Sequence, residues 1–151
     1  MKAAGRYDFM KIAIGSDTDG FELKEYLKKY LLGKGFEVVD KTPEKGFNLV
    51  QSSKLVAKSI LDGEVERGVA IDLYGAGSFM VGCKHKGIIC AEVSDEHSAK
   101  MTSQHNSANM ITIGSGIVGN KLAEAIVDAY LKEKYAGGRH QIRVDMLNKM
   151  L

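Results

Sequence analysis

The stretch "IDLYGAGSFM" at residues 71–80 decides the fold, because an apolar strand runs there directly into a glycine-rich loop. Similar short apolar segments recur along the chain and alternate with longer amphipathic segments. Strands are predicted at residues 11–16, 36–40, 68–73, 87–93 and 110–114. Strands that are apolar throughout and alternate with helices are typical of a parallel sheet covered on both faces. The sequence therefore predicts an α/β domain with a five-stranded parallel sheet.

The segments between the strands have helical periodicity and residues that cap or end helices. Helices are predicted at residues 20–35, 48–63, 94–106, 117–135 and 137–150. Asn48 and Ser94 are the predicted N-caps, since their side-chain oxygens can accept hydrogen bonds from the first turn. With helices on both faces, the expected fold is a single three-layer α/β/α domain, Rossmann-like, spanning residues 10–151. Residues 1–9 precede a second methionine, Met10, and are interpreted as an extension, either natural or added in cloning.

Composition and charge exclude several classes of protein. The 151 residues are enough for one domain with a real core, and 44% hydrophobic residues argue against disorder. The 21 basic and 19 acidic residues are well mixed, so nucleic acid is not an expected partner. No apolar run approaches the roughly 20 residues that span a bilayer, and the N-terminus has no secretory signal, so we expect a cytoplasmic protein without a membrane partner. Cys83 and Cys90 are predicted to be buried, reduced thiols.

Ligands of open parallel α/β sheets bind outside the carboxyl ends of the strands, so the loops after the strands are candidate site segments. Asp17, after the first strand, could accept hydrogen bonds from sugar hydroxyls; alternatively, Thr18 or Asp19 caps the next helix and Asp17 is solvated. After the third strand, Gly75 and Gly77 would let backbone N–H groups face an anion near a helix N-terminus. The alternative there is a tight turn that needs glycine.

Two further segments carry candidate residues. His105 lies between a predicted helix and a buried strand, and could move protons near neutral pH if it lies in the cleft; otherwise it is a surface group, and Asn106 is a left-handed C-cap. Arg139 and Arg143 are four residues apart on the last helix and could grip a phosphomonoester, or form a solvated basic face. The four histidines and two cysteines lack the spacings typical of a metal site.

Taken together, these motifs resemble one family. The segments "GSDTDG" (15–20), "SDEHSA" (94–99), "QHNSAN" (104–109) and "GGRHQIRV" (137–144) occur in the order seen in the ribose-5-phosphate isomerase type B family. That family includes the subunits of galactose-6-phosphate isomerase. The last two segments are the most specific, and the similarity runs from Met10 to the C-terminus.

The resemblance implies an enzyme that interconverts phosphorylated aldoses and ketoses without a metal or other cofactor. In the family an acid opens the sugar ring, a base moves a proton between C1 and C2, and loop amides hold the enediolate. The resemblance places the ring-opening acid on His105, with Asn106 beside it. It places phosphate binding on Arg139 and Arg143, and sugar contact on Asp17.

The chain departs from the family pattern where the base is expected. The family carries a histidine after the first aspartate, where this chain has Thr18, and Cys-Gly-Thr-Gly where this chain has residues 72–75, "DLYG". An ordinary aspartate has a pKa of about 3.9 against about 8.5 for cysteine, which makes Asp72 a poor base for removing a proton from carbon. Tyr74 would also crowd the sugar. We therefore interpret the segment with Asp72, Tyr74, Gly75 and Gly77 as a degenerate base loop.

In the family, active sites lie between two subunits, one giving the cysteine loop and the other the histidine and arginines. A chain that keeps only the second half implies a cysteine-bearing paralogous subunit of the LacB type as partner, reached by the C-terminal helix. The expected substrate is D-galactose 6-phosphate and the expected product D-tagatose 6-phosphate. Two alternatives stay open: a self-sufficient ribose-5-phosphate-type isomerase, a homodimer with Asp72 as base, and a non-catalytic sugar-phosphate-binding subunit.

Overall fold

The computed structural model describes residues 10–151. The strands are β1 (Lys11–Ser16), β2 (Glu37–Asp40), β3 (Arg67–Asp72), β4 (Cys90–Glu92) and β5 (Met110–Gly114). The helices are α1 (Phe21–Gly33), α2 (Leu49–Leu61), α3 (Ala76–Cys83), α4 (Glu96–Asn106), α5 (Asn120–Lys132) and α6 (Gln141–Asn148), with a 3-10 turn at Gly138–His140. All strand pairs are parallel, in the order β2-β1-β3-β5-β4. This confirms the predicted sheet; the extension predicted for residues 1–9 lies outside the described residues.

Two apolar cores lie on opposite faces of the sheet, because successive residues of a strand point to alternate sides. Ile12 and Ile14 belong to the larger core, which α1, α4 and α5 cover. Ala13 belongs to the smaller core, where Val56 of α2 packs and where α3 lies beside α2. The predicted three layers, with helices on both faces, are therefore confirmed.

The strand order creates a crevice at one edge of the sheet. From β1 the chain crosses to β2 on one side, and then to β3 on the other side of β1. A ligand crevice forms where such a reversal occurs, outside the carboxyl ends of the two strands. Asp17 follows β1 and Asp72 ends β3, so both aspartates lie at this crevice.

Several element boundaries differ from the predicted ones. Asn48 caps α2 as expected, in a capping box with Gln51. The cap of α4 is Asp95 rather than Ser94, because the Ser94 hydroxyl donates to a Glu92 carboxylate oxygen at 2.7 Å while Asp95 accepts from the Ser98 N–H. Helix α5 begins at Asn120, and the last predicted helix is divided into the 3-10 turn and α6.

Strand β4 begins three residues later than predicted. The Asn109 side chain accepts from the Ile89 N–H and donates to the Gly87 carbonyl oxygen, both at 2.9 Å. The Asn109 side chain therefore bonds the Ile89 N–H and the Gly87 carbonyl oxygen, while the Ile89 carbonyl oxygen still accepts from the backbone N–H groups of Asn109 and Met110.

The prediction of two buried thiols is wrong. Cys83 is exposed and Cys90 is half-buried, and both are free. They lie at the end of α3 and the start of the short edge strand β4, where fewer elements cover the sheet. Burial nevertheless raises the pKa of both thiols.

A buried tyrosine hydroxyl fixes the turn between α4 and β5. Tyr130 is fully buried, and its hydroxyl donates to the Ala108 carbonyl oxygen at 2.7 Å. Replacing Tyr130 by phenylalanine leaves that buried carbonyl without a partner, so we expect a loss of about 1–3 kcal/mol in the free energy of unfolding. The measurement is urea denaturation. The control is Tyr26→Phe, since Tyr26 is only half-buried and bonds the Glu124 carboxylate; equal losses for both variants would contradict the prediction.

Within residues 10–151, no helix is long and apolar enough to cross a bilayer.

Candidate active site

The carboxyl-end cluster consists of Asp17 and Asp72 together with the loop that begins α3. The Asp17 N–H donates to the Ile71 carbonyl oxygen at 3.2 Å, and its carboxylate accepts from the Gly20 N–H at 2.9 Å. Asp17 therefore closes its own turn, and neither Thr18 nor Asp19 caps α1. Burial raises the pKa of Asp17, and the neighbouring Asp72 carboxylate raises it further. The hydrogen bond from the Gly20 N–H lowers this pKa.

Asp72 is only 4% exposed, and its Oδ1 atom is a buried oxygen without a hydrogen-bond partner among the described residues. Gly75 has a φ of +78°, which favours glycine, and begins α3 after this aspartate. Thr112 holds the loop by donating its hydroxyl to the Gly75 carbonyl oxygen at 2.7 Å. The base loop is thus a well-packed turn at the N-terminus of a helix that the sequence did not predict.

Tyr74 projects from this loop with 62% of its surface exposed. Its backbone lies so close to β5 that a Cβ at position 114 would come within 2.5 Å of the Tyr74 carbonyl carbon. Glycine at 114 is therefore what allows the loop to approach the sheet. With its backbone fixed, the Tyr74 side chain is left facing outward at the mouth of the crevice.

The second group of candidate residues forms the basic basin, an open pocket of about 470 Å³. Its lining residues are His105, Asn106, Arg139, His140 and Arg143. Four of these were predicted site residues, and the structure brings them together although more than 30 positions separate the two segments. His140 is the member that the sequence analysis missed, although it lies inside the "GGRHQIRV" segment.

Local backbone geometry places the two halves of the basin side by side. Helix α4 ends at Asn106, and Ser107 takes the left-handed conformation with a φ of +54°, so the predicted C-cap is displaced by one residue. The Ala136 N–H donates to the Gln104 carbonyl oxygen at 2.9 Å. The Gln104 side chain also donates to the Glu133 carboxylate at 2.6 Å. These bonds hold the segment before the 3-10 turn against the end of α4.

The His105 and His140 rings are stacked, with their centroids 4.1 Å apart and 11° between their planes. Arg139 and Arg143 lie beside them in the same basin. Partial burial lowers the pKa of His140, and the positive charges of His105, Arg139 and Arg143 lower it further. Two imidazoles and two guanidiniums without an acidic lining residue form a site suited to an anion.

The carboxyl-end cluster and the basic basin lie at opposite ends of the strands: the cluster at the carboxyl ends, the basin toward the amino ends. Asp72 pairs with Gly114, the last residue of β5, whereas Met110, the first residue of β5, follows the end of α4 by a short turn. Helix α4 runs back along the sheet for 11 residues, a length of about 16 Å. The condition set for His105 as a proton carrier, a position in the crevice after the strands, is not met within this chain, because the helix carries His105 away from that edge.

An apolar cavity of about 450 Å³ adjoins the basic basin, and Asn106 lines both. Its other lining residues include Phe79 and Cys83 of α3 and Leu147 and Leu151 at the C-terminus. Helix α6 buries only Val144, while Ile142, Met146 and Met150 are 60%, 62% and 75% exposed. The C-terminal helix thus presents a largely uncovered apolar surface next to the basin.

Within the described part of the chain, no group of three or more His, Cys, Asp or Glu side chains is placed to hold a metal ion. The basic basin is lined by two histidines, two arginines and the uncharged Asn106.

The parallel three-layer α/β fold and the histidine–arginine basin point to the class of sugar-phosphate isomerases. Comparison with known proteins identifies the family. A family model described as Ribose/Galactose Isomerase matches residues 12–147. The chain belongs to the ribose/galactose isomerase family, as its motifs had indicated.

Individual relatives agree with this assignment. The galactose-6-phosphate isomerase subunit LacA of Clostridium acetobutylicum is 78% identical over 142 residues, which cover 94% of this chain and 100% of that protein. The LacA subunit of Staphylococcus epidermidis is 53% identical over 141 residues, covering 93% of this chain and 99% of that protein. The crystal structure of ribose 5-phosphate isomerase from Thermotoga maritima superposes with a TM-score of 0.90 at 35% identity, covering 93% and 99% of the two chains.

Proposed function

We propose that the chain is one subunit of a heteromeric aldose–ketose isomerase that converts D-galactose 6-phosphate to D-tagatose 6-phosphate. This chain supplies His105 to open the sugar ring, and Arg139 and Arg143 to bind the phosphate. A LacB-type partner supplies the cysteine base. The observation that carries the proposal is the position of the basic basin, at the sheet edge opposite Asp72, where a second subunit is needed to complete a site around one sugar.

The chemistry of the basin fits the first step. A histidine titrates near neutral pH and can give a proton to the ring oxygen as the bond from that oxygen to C1 breaks, while the C1 hydroxyl loses its proton. The open-chain aldose then loses a proton from C2 to the partner's base, which gives an enediolate. The C2 hydroxyl proton passes to the C1 oxygen, and C1 regains a proton, which gives the ketose. Asn106, which lines the basin beside His105, is within the same pocket and is assigned to sugar binding.

The phosphate is assigned to Arg139 and Arg143. Guanidinium groups form charge-assisted, bidentate hydrogen bonds with phosphate oxygens. Both arginines are exposed in the open basin, and neither forms a salt bridge within residues 10–151. Asp17, at the other edge of the sheet, is assigned to sugar contact in a site that this chain's crevice shares with the partner. In that crevice Asp72 and the projecting Tyr74 take the place of the family's cysteine loop. We therefore assign no catalytic base to this chain's crevice.

The surface beside the basin supports association with another subunit. Ile142 and Met146 of α6 are exposed apolar residues, and Met150, which follows α6, is also exposed and lines the apolar cavity. A contact made there would bring the partner's loop over the basic basin. We therefore assign the C-terminal helix to the subunit interface.

The test is an isomerase assay on the chain purified alone and after co-expression with a cysteine-bearing family paralogue. Each preparation is given D-galactose 6-phosphate and, separately, D-ribose 5-phosphate. The proposal predicts ketose formation from the galactose ester by the mixture only. Turnover of the ribose ester by the isolated chain would favour the self-sufficient isomerase, and binding of sugar phosphate without turnover in any mixture would favour the non-catalytic subunit.

A further inference from the structure

The stacked histidine pair lies among positive charges that no acidic group in the basin offsets. His140 faces His105 of α4, Arg139 of its own turn and Arg143 of α6. The nearest elements do carry carboxylates, but these have other partners. Glu133 accepts a hydrogen bond from Gln104 at 2.6 Å, and Asp145 accepts one from Gln141 at 2.8 Å.

Two imidazoles whose centroids are 4.1 Å apart repel each other strongly when both are protonated. Two neighbouring guanidiniums, which stay charged at all working pH values, increase this cost. Partial burial lowers the pKa of His140 in the free chain, and these positive charges lower it further. The empty basin therefore disfavours a second proton on the pair.

A dianion in the basin lowers the cost of adding a second proton to the histidine pair. Its charge offsets those of Arg139 and Arg143, and its oxygens accept hydrogen bonds that a protonated imidazole donates better than a neutral one. We propose that binding of the substrate's phosphate group charges the His105–His140 pair, so that the occupied basin holds up to one proton more than the empty one. This inference rests on the proposed function, because it places the phosphate in this basin.

The consequence is that the proton needed for ring opening arrives with the substrate. His105 is the proposed acid, and His140 stacks on it as a positioning residue that shares the charge. His140 thereby holds the plane of the His105 ring and disfavours a second proton on the pair until an anion binds.

The experiment uses the full chain and sodium sulfate, because sulfate remains a dianion throughout the pH range and so takes up no proton itself. The histidine C–H signals are followed by NMR from pH 5 to pH 8.5, with and without saturating sulfate. We expect sulfate to raise the apparent pKa of the histidine pair by about half a pH unit to one pH unit. His85 and His97 lie outside the basin and serve as internal controls with unchanged curves.

The pH dependence of sulfate affinity gives a second readout. Affinity should rise by up to about tenfold between pH 8 and pH 6 in the unmodified chain, since one pKa unit corresponds to a factor of ten. His140→Gln should reduce that rise to less than half, whatever the variant does to the affinity at pH 8. A merely structural role of His140 would lower affinity equally at both pH values, and that result would overturn the inference.

The outcomes separate this inference from the proposed function. Sulfate that binds without moving the histidine titrations would overturn the proton linkage and leave the phosphate site standing. Absence of sulfate binding at any concentration would overturn both.

Discussion

Replacing His105 by asparagine is expected to lower kcat of the mixed complex by about 10²- to 10⁴-fold, the usual contribution of a general acid or base. Asparagine keeps the polarity and approximate size of the side chain but cannot give a proton to the ring oxygen. The stack with His140 is also lost, so the acid is removed and His140 has no ring left to position. The measurement is the steady-state rate with cyclic D-galactose 6-phosphate.

Two matched variants define what this result means. His97→Asn changes an exposed histidine on the same helix, α4, and should leave kcat unchanged. Asp72→Asn alters the buried aspartate of the degenerate base loop and should leave kcat of the mixed complex within about twofold, because the proposal places the base on the partner's cysteine and none on Asp72. A large loss with Asp72→Asn and none with His105→Asn would show that the halves of the site have been assigned the wrong way round.

The second large effect is expected at the phosphate. Arg139→Ala and Arg143→Ala should each raise KM by about 10- to 150-fold, because a hydrogen bond to a charged group contributes about 1.5–3 kcal/mol. Lysine at either position should recover only part of the loss, since a point charge cannot reproduce the bidentate geometry of the guanidinium.

The control is Lys149→Ala, which removes an exposed positive charge just after α6 without touching the basin. It should leave KM unchanged. If all three variants raised KM alike, general electrostatic attraction rather than a defined phosphate site would explain the effect.

The sequence predicted the sheet well because its signal is local. The central strands are apolar throughout, and their boundaries at Lys11–Ser16 and Met110–Gly114 agree with the prediction at both ends. Helix α3 was missed for an equally local reason: "AGSFMVGC" contains two glycines and has no apolar face that repeats with helical spacing. It is a helix because it packs against α2 and the sheet, which the sequence pattern does not reveal.

The candidate site was harder to predict because it depends on the direction in which α4 runs relative to the strands. Arg139 and Arg143, which were predicted on one helix, lie in the 3-10 turn and in α6, and the basin brings them together with His105 and Asn106. The rule that ligands bind after the strands located Asp17 and Asp72, but it does not apply to residues at the far end of a helix that runs back. His140 was missed because a lone histidine between two arginines has no meaning until the end of α4 is placed against it.

Subunit titration tests the central claim most directly. A fixed amount of this chain is mixed with increasing amounts of the cysteine-bearing paralogue, and the initial rate of D-tagatose 6-phosphate formation is measured. The account predicts no rate for either chain alone and a rate that rises and saturates at a fixed molar ratio. Turnover by this chain alone that disappears in the Asp72→Asn variant would contradict it, since the chain would then carry its own base.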